Sequence, residues 1–72
     1  MYKIARVEWK DACKYGDYNT HGIEVLYSVG YIVVESEEYI ALAQEIDTEG
    51  KRYRDTVSIP KSCVLEVVSI HL

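Results

Sequence analysis

Apolar and polar positions alternate with a period of two along most of the chain, and no stretch carries a helical stripe. Residues 2–9 place Ala5, Val7 and Trp9 on one side and Ile4, Arg6 and Glu8 on the other, which predicts a half-buried strand. Residues 10–22 are polar and rich in turn formers, ending Asn19-Thr20-His21-Gly22. They predict a loop too long for a simple hairpin, either functional or folded over the body. A second, long strand is predicted over residues 23–34. Val25, Tyr27, Val29 and Tyr31 share one side, and Leu26, Ser28, Gly30 and Ile32 share the other. Its second half is apolar on both sides. Gly30 weakens pairing in mid-strand but permits a sharp bend, the device by which small barrels turn a corner.

Glu35-Ser36-Glu37-Glu38 reads as a charged turn, followed by a third strand over residues 39–46. Ala, Leu, Gln and Glu would favour a short helix over 38–45. Ile40, Leu42 and Ile46 recur at period two between two other strands, so strand is the better reading. Residues 47–50, Asp-Thr-Glu-Gly, make a hairpin loop with a glycine available for positive φ. A fourth strand is predicted over 51–59. Pro60 has no N–H for a ladder and opens a single 3-10 turn over 60–62. A fifth strand follows over 63–70, with Glu66 as its one charge.

Five short strands with a long first loop, two tight turns and a 3-10 break before the last strand predict an all-β chain. The order of loops fits one domain, residues 1–72, folded as a five-stranded SH3-like small β-barrel. A Sm-like variant would open with a helix, for which there is no room before Ile4. An OB-fold would place a helix where only residues 47–50 lie.

Composition sharpens this picture. The chain has 72 residues, 49% of them hydrophobic, and a net charge of −4 from 8 Lys+Arg against 12 Asp+Glu. A domain of this size buries only about 60% of its unfolded surface, a small core. The second and fifth strands are nevertheless apolar on both faces, so a homo-oligomer is expected to hide the surplus. Acidity disfavours a nucleic-acid binder. No apolar run approaches the ~18 residues of a membrane span. Cys13 and Cys63 are the only cysteines, and the charged N-terminus does not read as a signal peptide. Free thiols in a reducing cytoplasm are expected. Cys13 and Cys63 are each followed at +8 by His21 and His71, but zinc sites need tighter pairs, so no metal or other cofactor is expected.

The chain resembles short bacteriophage and prophage accessory proteins. The residues that carry the resemblance are Val7-Glu8-Trp9-Lys10-Asp11-Ala12, Ser28-Val29-Gly30-Tyr31-Ile32-Val33, Ile40-Ala41-Leu42-Ala43 and Ile59-Pro60-Lys61-Ser62-Cys63-Val64. The last of these is also similar to the close of an SH3 domain. The resemblance implies a small phage accessory module and brings no reaction with it. The loop signatures of RNA-binding Sm and Hfq proteins are missing, as is the Ala-Leu-Tyr-Asp-Tyr opening of signalling SH3 domains.

No spacing links a nucleophile to a base, and there is no phosphate-cradling glycine loop, so no enzymatic activity is expected. Asp17 and His21 could pair, but turn residues are common in such a loop. Two clusters mix bases with aromatics: Lys14, Tyr15, Tyr18 and His21 in the long loop, and Lys51, Arg52, Tyr53 and Arg54 after the hairpin. Such groups can neutralise a phosphate and stack a base. Three functions follow as expectations. The first is a homo-oligomeric module that binds a host protein. The second is a counter-defence sponge that sequesters a cyclic nucleotide or oligonucleotide signal. The third, an Sm-like RNA binder, is disfavoured by the charge.

Overall fold

A computed structural model describes residues 2–11 and 24–71. Its strands are β1 (Ile4–Asp11), β2 (Glu24–Glu35), β3 (Tyr39–Ile46), β4 (Tyr53–Pro60) and β5 (Val64–Ile70), with a 3-10 turn over Lys61–Cys63. All pairings are antiparallel, in the order β4-β3-β2-β1-β5. Among the described residues the predicted class is therefore what the chain adopts: all-β, five strands, one 3-10 turn before the last. The sheet is open, with β4 and β5 as its edges, so its ladders do not close the predicted barrel.

Element limits differ from the sequence reading where backbone bonding outweighs side-chain character. Lys10 and Asp11 look like loop, yet they continue the ladder opposite Val25 and Glu24. Polar side chains leave the backbone as able to pair as any other. In contrast, β4 starts at Tyr53 and not at Lys51. The backbone N–H groups of Lys51 and Arg52 both donate to Asp47 Oδ1, at 2.7 and 3.1 Å, so the hairpin tip is held by a side chain. Gly50 takes the positive φ of 71° that this tip requires. Pro60 ends β4 opposite Tyr39, on an edge strand where a missing N–H is tolerated. The next N–H, from Lys61, donates to the carbonyl of Glu38 at 2.8 Å. At the β2–β3 turn, Ser36 Oγ accepts from the N–H groups of Glu38 and Tyr39, both at 3.2 Å.

The core is formed by folding this one sheet onto itself. Val7 of β1 packs with Ile40 and Leu42 of β3 and Ile59 of β4, all fully buried. Trp9, Ile32, Val57, Cys63 and Val64 close around them. The bend falls in β2. Gly30, buried and opposite Ala5, lies where β2 passes from β1 to β3, and the β2–β3 register shifts just after it, between Ile32 and Val34. Gln44 Nε2 also donates to the Val29 carbonyl at 2.8 Å across the bend. On the inner face, Trp9 Nε1 donates to Ser28 Oγ at 3.0 Å, which satisfies the indole where it is half-buried. Cys63 carries a free thiol.

Candidate functional site

The β3–β4 hairpin gathers one of the two predicted base-and-aromatic clusters. Pairing sets Glu45 opposite Arg54 and Ile46 opposite Tyr53. Arg54 Nε bonds Glu45 Oε1 directly. Arg52 Nε lies 3.9 Å from Asp47 Oδ2, and Lys51 Nζ lies 3.4 Å from Glu49 Oε2. Each of the three bases therefore has its own carboxylate. The hydrogen bond and charge of Arg54 hold the Glu45 carboxyl below its ordinary value, and the same pairing raises Arg54. The Asp47 carboxyl is likewise lowered, by the backbone N–H groups of Arg52 and Lys51. Tyr53 is 43% exposed. Its ring meets Tyr2 edge to face, with centroids 6.2 Å apart. A shallow groove of about 450 Å³ is lined by the Glu45–Arg54 and Asp47–Arg52 pairs with Ile46 and Tyr53. Lys14, Tyr15, Tyr18 and His21, the other predicted cluster, lie outside the described residues, as does Cys13.

A second surface was not assembled by sequence reasoning. The registers of β1 with β2 and with β5 align three rows on the outer face: Val29–Arg6–Val68, Tyr27–Glu8–Glu66 and Tyr31–Ile4–Ile70. Val25, Tyr27 and Val29 form an apolar stripe on this face, exposed by 51, 61 and 46%. Arg6 lies across its centre, with the guanidinium 4.8 Å from the Tyr27 ring centroid and Nη2 3.4 Å from Glu66 Oε1. A cation over a ring face and a carboxylate at its other end fix Arg6 in place. The period-two run of Val25, Tyr27 and Val29 was the available signal. Beyond the row of Tyr31 and Ile70 the face continues into a groove of about 540 Å³ that Tyr2 also lines.

Among the described residues, no three His, Cys, Asp or Glu side chains converge in a metal-binding group. None of their helices is long and apolar enough to cross a membrane. No protein family, curated protein or solved structure matches the chain.

Proposed function

We propose that this chain is a non-catalytic, self-associating binding module whose outer sheet face engages a host protein, as expected of a phage accessory protein. The observation that carries the reading is the exposed stripe of Val25, Tyr27 and Val29 beside Arg6. An apolar stripe rimmed by charge is the composition of a protein-binding patch. A net charge of −4 suits a partner with a basic surface. The nucleotide-sponge and RNA readings draw less support, because Lys51, Arg52 and Arg54 are each engaged by a carboxylate. The SH3-like barrel arrangement is supported by the place of β1 between β2 and β5 and by the shared core of the two sheet halves.

The test is affinity capture from bacterial lysate at low salt, with the wild-type chain and a folded Val29→Glu variant side by side. The reading expects a retained protein that the variant releases. Retention of nothing, or equal retention by both, overturns it.

A further inference from the structure

We infer that the groove at the start of β1, bounded by Tyr2, Lys3, Tyr31 and His71, binds a small phosphorylated aromatic molecule of the nucleoside monophosphate class. The site is separate from the Val25–Val29 stripe and goes beyond the host-protein reading.

The strand registers build the groove. Ile4 stands opposite Tyr31 on β2 and opposite Ile70 on β5, so these three residues form one row across the sheet. Carrying the β1–β5 register one residue further sets His71 opposite Lys3. The backbone of Lys3 is held in place, because its carbonyl accepts the Ile32 N–H at 2.8 Å. Tyr2 precedes it, with its ring braced edge to face on Tyr53. With Ser69 alongside, these residues line about 540 Å³, within the ~300–1,000 Å³ of small-molecule sites.

Charge distinguishes this groove from its two neighbours. The hairpin groove is lined by Glu45 and Asp47, and the one between the hairpin tip and Tyr2 by Asp47 and Glu49. The lining of the Tyr2–His71 groove has Lys3 and His71 and no carboxylate. Among the described residues, Arg6, Lys51, Arg52, Arg54 and Lys61 each lie against an acid. Lys3, Lys10 and His71 do not, and two of these three meet here. A chain of net charge −4 thus sets two bases side by side with no acid between them. A phosphate suits such a pair, since the ammonium, the imidazole and the Ser69 hydroxyl can all donate to its oxygens.

The tyrosines select what the phosphate is attached to. A bare anion gains little from aromatic walls, whereas a nucleobase stacks on them whatever its identity. Tyr2 and Tyr31 are half-buried and so held by the fold, while Lys3 and His71 are exposed. The base then lies against the rings and the phosphate at the solvent side.

The test is isothermal titration calorimetry on the full chain, with adenosine monophosphate, adenosine and inorganic phosphate as probes. Adenosine monophosphate is expected to bind saturably below about 1 mM, and the other two at least about fivefold more weakly. Lys3→Gln and His71→Gln change exposed residues outside the strands. Each should weaken adenosine monophosphate about fivefold and leave adenosine unchanged. Tyr2→Leu, checked for native circular dichroism, should weaken adenosine monophosphate and adenosine alike. Arg52→Gln, in the hairpin groove, should bind as the wild type does. No saturable binding by about 1 mM overturns the assignment. So does inorganic phosphate binding as tightly as adenosine monophosphate, which would mark a plain anion site. A loss in Arg52→Gln equal to that in Lys3→Gln also overturns it, by moving the ligand to the hairpin. Capture of a host protein on the outer face is independent of each of these results.

Discussion

Gly30 lies against the backbone of Ala43 so closely that a Cβ on it would stand 2.8 Å from the Ala43 carbonyl oxygen. Leu42 Cβ and Gln44 Nε2 would be 3.2 Å away. The nearest atom belongs to the backbone, so it cannot swing aside as a side chain would. The bend that brings Val7 over Ile40 and Leu42 thus requires a residue without a side chain at this position.

Gly30→Ala is therefore expected to destabilise the chain by about 1–3 kcal/mol through overpacking. Alanine also narrows the unfolded ensemble, worth about 0.4–1 kcal/mol in the other direction. The clash is the larger effect. Urea unfolding of the two proteins checks the sign, and equal midpoints would show that β2 and β3 are not this close.

Ser28→Ala removes the acceptor of the Trp9 indole and leaves a half-buried N–H without its partner. A loss of about 1 kcal/mol is expected. The chain has one tryptophan, so its fluorescence during denaturation reports this site alone.

Asp55 has a left-handed backbone, φ 59°, and is exposed. Glycine adopts this conformation without steric cost, whereas a β-branched residue does so at about 1–2 kcal/mol or more. Asp55→Gly is expected to keep or raise the melting temperature, and Asp55→Val to lower it. The reverse order in thermal melts would show that Asp55 does not hold this backbone conformation.

Acid should loosen the hairpin. Glu45 and Asp47 have carboxyls lowered in the folded chain, by Arg54 and by the backbone N–H groups of Arg52 and Lys51 respectively. The unfolded chain then takes up protons at higher pH than the folded one. The stabilisation they bring is present at neutral pH and is lost as pH falls through the carboxylate range, near and below about 4. Asp47→Ala should lower the melting temperature at pH 7 more than Glu49→Ala, because only Asp47 holds the tip's N–H groups. The variant should also flatten the acid slope. A slope unchanged in Asp47→Ala would assign it to other carboxyls.

Much of the fold was legible because period-two alternation depends on neighbours in sequence. The limits of β3, Tyr39–Ile46, follow from it directly, and the 3-10 turn after Pro60 follows from the missing N–H. The start of β4 was not legible, since it depends on Asp47 reaching across the tip. The same limit governs the candidate site. Lys51, Arg52 and Arg54 are evident as bases, but their partners emerge only once the hairpin register sets Glu45 against Arg54. The outer face is further from sequence reasoning still. Arg6 and Glu66 meet at a separation of 60 residues, through a β1–β5 pairing that no local pattern announces.

The paired charges of the hairpin have a consequence at long range. Glu45, Asp47 and Glu49 oppose Lys51, Arg52 and Arg54, three of each sign, so this tip has no monopole. The chain's entire −4 resides on the rest of the molecule. Fields of alternating neighbours cancel within a few ångströms, well inside a Debye length of about 8 Å at physiological salt. A basic molecule diffusing toward this protein is consequently steered past the hairpin, however many bases and acids crowd there.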